Sequence, residues 1–132
     1  MGLDMYGYTM KAEFVGDRQT DVNVSEDERE EAALNHFAYW RKFNHLHGWM
    51  ENLYRQKGGK AEVFNCCTVR LELEDLDRLE SDLNEEKLEY TPVFFFGDDE
   101  IYPEDITETK NFIANARLAI ATGQAVFYDS WW

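Results

Sequence analysis

Val69-Arg70-Leu71-Glu72-Leu73-Glu74-Asp75-Leu76-Asp77-Arg78-Leu79-Glu80-Ser81-Asp82-Leu83 changes its hydrophobic period partway along. Val69, Leu71 and Leu73 alternate with Arg70 and Glu72, the period of a half-buried strand. Leu76, Leu79 and Leu83 then recur at helical spacing. The stretch predicts a strand over Ala61 to Leu73 and a short helix from about Glu74 to Glu86.

Working outward, Leu3 to Val15 alternates loosely and reads as a strand, with a break near Gly7 that fits a bulge. Ser25 and Glu28 have capping-box spacing, and Glu26, Asp27, Glu28, Glu30 and Glu31 crowd the first turns of the helix, where negative charge suits its dipole. The core stripe Tyr39, Phe43, Leu46, Met50 and Leu53 predicts one long helix reaching Gln56, with room for a kink, ended by Gly58-Gly59. Val93 to Phe96 is an unbroken apolar run and reads as a buried strand. Pro103 opens a second long helix whose inner face is Ile106, Ile113, Ala116 and Ile120. Ala125 to Trp132 reads as a last strand, with Phe127 and Trp131 in the core and Trp132 more exposed. The order predicts a single α+β domain over residues 1–132: a small mixed sheet with two long helices and one short helix packed mainly on one face.

Size and composition bound the function. A chain of 132 residues, 44% hydrophobic and 15% aromatic, can bury a core without disulfides or metal. The formal net charge of −14 opposes direct binding to nucleic-acid phosphates or to an anionic membrane, and favours basic partners or solubility. Cys66 and Cys67 are adjacent and give no disulfide framework; with no leader-like apolar segment, a reducing cytoplasm is the expected compartment. The start Met1-Gly2-Leu3-Asp4-Met5-Tyr6 carries Tyr6 where a myristoylation signal needs Ser or Thr. No glycine-rich phosphate loop, nucleophile elbow, zinc spacing or calcium loop occurs, so no cofactor or metal is expected.

The charge is polarised. Glu72 to Glu108 holds fifteen Asp and Glu against Arg78 and Lys87, whereas Arg41 to Lys60 is mildly basic. On the short helix Glu74, Asp75, Asp77, Glu80, Asp82 and Glu85 lie off the leucine stripe and are expected to point outward, with Asp98, Asp99 and Glu100 adding a loop cluster. Such a face could occupy a basic groove as a DNA mimic does; the plainer alternative is a solvated charged face.

A second function class rests on Trp40, Arg41, Asn44 and His47. As one helix, the region would align Trp40, Asn44, His47 and Glu51 in a stripe, with His47 as general base or ligand acceptor, Asn44 orienting a polar group, and Tyr128 as lid or partner. The alternative is a half-buried stripe whose polar groups pair with backbone or water. A third class is an assembly protein forming a homodimer through the aromatic tail Phe127-Tyr128-Asp129-Ser130-Trp131-Trp132.

Gly2-Leu3-Asp4-Met5-Tyr6, the segment from Tyr39-Trp40-Arg41-Lys42 through Asn44 and His47 to Trp49, Phe94-Phe95-Phe96-Gly97 and Phe127-Tyr128-Asp129-Ser130-Trp131 occur in this order. Together they resemble a family of small, mostly uncharacterised proteins of bacteriophages and prophages. The Gly7 break and the loop from Gly16 to Ser25 depart from that pattern. The resemblance brings no catalytic residues. It implies a bacterial host cell and, by analogy with other small acidic phage proteins, an inhibitor of a host nucleic-acid-binding defence complex of the anti-CRISPR or anti-restriction kind. The implied partner is a basic host protein or nucleoprotein complex.

Overall fold

The change of period between Leu71 and Leu76 is a change of element. In this computed structural model, which describes residues 2–89 and 100–132, Val69–Leu71 is a strand and Leu73–Asn84 a helix. Among the described residues the order is β1 (Asp4–Lys11), α1 (Ala12–Val15), α2 (Glu26–Ala32), β2 (Asn35–Arg41), α3 (Asn44–Gln56), β3 (Val69–Leu71), α4 (Leu73–Asn84), α5 (Pro103–Ala121) and β4 (Gln124–Trp131). The fold is α+β: a four-stranded sheet in the order β2-β1-β4-β3, with helices on both faces. No helix among the described residues is long and apolar enough to cross a membrane.

The sheet is antiparallel in all three pairings rather than mixed. β1 and β4 form its centre and pair along their whole length, from Asp4↔Trp131 to Lys11↔Gln124. The apolar run Val93 to Phe96 lies outside the described residues.

The long helix expected up to Gln56 is three elements. Ala33, at φ 53°, stops α2 in the left-handed region, and Lys42, at φ 58°, turns the chain from β2 into α3. Between these turns Ala38 and Trp40 are buried while Tyr39 and Arg41 are exposed, the alternation of a strand. Tyr39 therefore leaves the core stripe, while Leu46, Met50 and Leu53 keep it on α3. The strand expected over Ala61 to Leu73 shrinks to three residues. Cys66 breaks it at φ 58°, and Leu73 starts α4 with its side chain exposed.

The local signals act as the sequence implies. Ser25 and Glu28 form a capping box, Pro103 opens α5, and Gly58, at φ +94°, follows the end of α3. Both sheet edges are guarded. The Tyr39 amide on β2 donates to Glu108, and the Arg70 amide on β3 donates to the Gln19 carbonyl.

One face of the sheet is covered by α3, α4 and α5. Met5, Trp40, Val126 and Tyr128 pack there against Leu46, Leu79, Phe112 and their neighbours. The opposite face is covered at one end only. Tyr8, Met10, Ala125 and Phe127 pack under Val15, Val22 and Ala32 from the α1–α2 segment.

The break at Gly7 is a register shift between Gly7 and Tyr8 against β2. It also brings α5 close: a Cβ on Gly7 would lie 2.7 Å from Cε1 of Phe112 and 3.1 Å from Cβ of Ala38. Phe112 cannot yield easily, since it stacks on Phe37 at 5.4 Å and meets Trp40 edge-on at 5.1 Å. Gly7→Ala is expected to cost about 1–3 kcal/mol through overpacking, read as a lower urea midpoint. An unchanged midpoint would mean that α5 is not held against β1.

Candidate functional site

The acidic helix comes first. Its leucines Leu76, Leu79 and Leu83 are buried, which wedges α4 among α3, β3 and α5 and brings donors from those elements onto its carboxylates. Asp75 does not point outward: it is 2% exposed and accepts from the Glu72 amide, Lys57 and Arg78 at 2.9, 2.6 and 2.9 Å. Burial alone would raise its pKa; those donors outweigh burial and hold it below the usual carboxylate value. Asp77 and Glu80 are both bound by Arg117 of α5 at 2.8 Å. Asp82 accepts the Trp49 indole N–H at 2.9 Å. Glu85 accepts from Ser81 and pairs with Lys87. Glu74 and Glu100 are exposed, while Asp98 and Asp99 lie outside the described residues. The helix is thus partly neutralised from within, by local partners and by Lys57, Trp49 and Arg117, which local spacing could not reveal.

Glu74 and Asp82 form no ion pair among the described residues, and a second group of such carboxylates lies on α2. Glu26, Asp27, Glu28, Glu30 and Glu31 on α2 are all exposed, and among the described residues none of them forms an ion pair. The sequence places all five in the first turns of a long helix, but α2 ends at Ala32. Glu30 and Glu31 sit in the last turn, where negative charge opposes the helix dipole.

The second constellation does converge, by a different route from the one expected. Trp40 is on β2, Asn44 and His47 are on α3 beyond the turn at Lys42, and Tyr128 is on β4, so no single helical stripe exists. All four are buried; Arg41 is exposed on the other side of β2. The Trp40 indole donates to Thr109 at 3.0 Å, and Thr109 donates to the Asp105 carbonyl at 2.7 Å. His47 Nδ1 and the Tyr128 hydroxyl lie 2.6 Å apart. The Phe64 carbonyl near the imidazole favours its protonated form, but burial outweighs it. The Asn44 amide is buried with no hydrogen-bond partner among the described residues.

Burial pushes the His47 pKa down to about 4 and holds Tyr128 well above the usual phenol range. Both are neutral at neutral pH. Three clefts are evident among the described residues. One of about 470 Å³ between α3 and α4 includes His45, Trp49, Arg78 and Asp82; one of about 290 Å³ adjoins β3; and an open hollow of about 770 Å³ lies at the β2 edge. None is lined by Trp40, Asn44, His47 or Tyr128. The His47–Tyr128 pair pins α3 to the sheet.

Among the described residues no group of three or more His, Cys, Asp or Glu is placed to hold a metal ion. Cys66 is exposed and Cys67 buried, in a loop rather than a strand, and burial raises both thiol pKa values.

The tail reverses its expected exposure. Trp131 is 66% exposed, whereas Trp132 is half-buried, its indole donating to the Phe64 carbonyl at 2.9 Å and its backbone bonded to Asn65. Pairing with Asp4 places Trp131 on the uncovered end of the second sheet face. Tyr39, 48% exposed, and Tyr6 share that face, with ring centroids 5.5 Å apart. The sequence reading passed over both as site residues.

Tyr128→Phe deprives buried His47 of a hydrogen bond and is expected to cost about 1–3 kcal/mol of folding stability, measured by denaturant unfolding. The pH dependence carries a sharper signature. Below pH 6.5 an unfolded chain protonates His47 while the folded chain resists until about pH 4, so this group makes stability fall with falling pH. Asp129 acts oppositely: burial raises its folded pKa from 3.8 to about 6, so the folded chain takes the proton first and gains stability as pH falls through that window. Asp129→Asn is expected to expose the His47 loss, on the order of 3 kcal/mol between pH 6.5 and 4. Identical pH profiles for parent and variant would contradict the opposition of these two groups.

No family model, no curated protein and no solved structure matches this chain.

Proposed function

We propose that this chain is a non-enzymatic binding protein that engages a basic partner electrostatically. The observation that carries the reading is α2, whose carboxylates are exposed and form no ion pair among the described residues, with Glu30 and Glu31 held where they oppose the helix dipole. Residues kept at such positions do not serve the helix. The net charge of −14 would add long-range steering toward a positive partner.

The resemblance to bacteriophage proteins supports a finer form of this reading. In a bacterial host cytoplasm the partner would be a nucleic-acid-binding defence complex, of the CRISPR or restriction kind, whose basic groove the acidic surface fills in place of DNA. The acidic block on α4 would contribute field more than contacts, because Asp75, Asp77, Glu80 and Glu85 already have cationic neighbours. His47 and Tyr128 are buried and line none of the three clefts described above, which favours the surface reading over a ligand site there.

The test is capture of partners from a bacterial lysate on the immobilised chain, at low and high salt. Glu30→Gln with Glu31→Gln should leave unfolding unchanged and reduce recovery of a basic nucleic-acid enzyme by about tenfold at low salt, and high salt should abolish recovery. Equal recovery at both salt concentrations would contradict the proposal.

A further inference from the structure

The uncovered half of the second sheet face is an ordered array of rings and charges. Directly opposed residues in an antiparallel sheet share a face. One cross-strand row is Arg41, Asp4 and Trp131, and the next is Tyr39, Tyr6 and Asp129. The Tyr39 hydroxyl donates to Asp4 at 2.6 Å, which fixes its ring beside Tyr6. His36 borders the array, 5.7 Å from the Tyr6 ring; burial, with Arg29 nearby, lowers its pKa and keeps it uncharged at neutral pH. Helix α2 packs over the other half of this same face through Ala32.

We propose that this array, Tyr6, Tyr39 and Trp131 with Asp4 and Asp129, is the docking surface for an arginine- or lysine-rich segment of a protein partner. The inference rests on the reading of the chain as a binder of basic partners and names where the contact is made. Ring faces attract cations, and a guanidinium can stack on a ring while bonding a carboxylate beside it. The array holds the Asp4 and Asp129 carboxylates beside the Arg41 guanidinium, with Arg29 near its His36 border, in a molecule of net charge −14. Stacked nucleobases would suit the rings, but their phosphates would meet a molecule of net charge −14, and a second copy would bring the same repulsion. Tyr, Trp and Arg are also the residue types that dominate interface energetics.

The test uses the full isotopically labelled chain, titrated with a short arginine–glycine repeat peptide and, separately, with a single-stranded DNA oligonucleotide. The peptide should perturb the Trp131 indole and the Tyr39 ring first, and bind more tightly than the oligonucleotide. Trp131→Ala and Tyr39→Ala, both at exposed positions, should each weaken the peptide by about fivefold or more. The inference is overturned if ring substitutions leave affinity unchanged while Glu30→Gln with Glu31→Gln abolishes it, an outcome that preserves the electrostatic reading alone. It is also overturned if the oligonucleotide binds better, or if the chain self-associates through a contact that Trp131→Ala removes and the peptide does not displace. Absence of salt-sensitive peptide binding anywhere would overturn both readings.

Discussion

The pairing of β1 with β4 is the constraint on which the other elements depend. It joins the two ends of the chain along eight positions and makes both strands central. Side chains alternate across a sheet, so this register decides which residues meet the three large helices and which do not. Met5, Val126 and Tyr128 go to the helix-covered face; Tyr6, Asp129 and Trp131 go to the other. A slip by one residue would bury Asp129 and Trp131 under α3 and expose Tyr128. The internal hydrogen bond of Tyr128 with His47 tells against such a slip, because it is satisfied only in the observed register.

The same register sorts the charge. On the covered face, α4 lies close enough to α3 and α5 for Lys57, Trp49 and Arg117 to reach its carboxylates. Exposed ion pairs such as Arg117 with Asp77 contribute little to stability, but they do reduce what an incoming cation would find. On the other face α1 and α2 are too short to cover the sheet, so rings remain in the open beyond them. On the helical side Asp75, Asp77, Glu80 and Glu85 are ion-paired, whereas among the described residues the carboxylates of α2 are not.

Local features were legible in the sequence. The Ser25–Glu28 box, the leucine stripe of α4, Pro103 and the Gly7 break each act within a few residues, and each stands in the structure. The second strand was hidden because Tyr39, Phe43, Leu46 and Met50 fit a helical period as well as Ala38 and Trp40 fit a strand period. Only the left-handed turns at Ala33 and Lys42 decide between them. The candidate site was legible as a set of residues and not as an arrangement. Trp40, Asn44, His47 and Tyr128 do meet, yet the bond between His47 and Tyr128 spans 81 positions and buries both. The roles of Trp131 and Trp132 likewise turn on the strand register and on Phe64 and Asn65, which no local pattern reports.

The most direct test of the central claim is carbodiimide coupling of the chain to its captured partner, followed by identification of the carboxylates joined to partner lysines. The account predicts links from Glu30, Glu31 and Asp4, on the sheet side. Links confined to Glu74, Asp77 and Glu85 on α4 would contradict it.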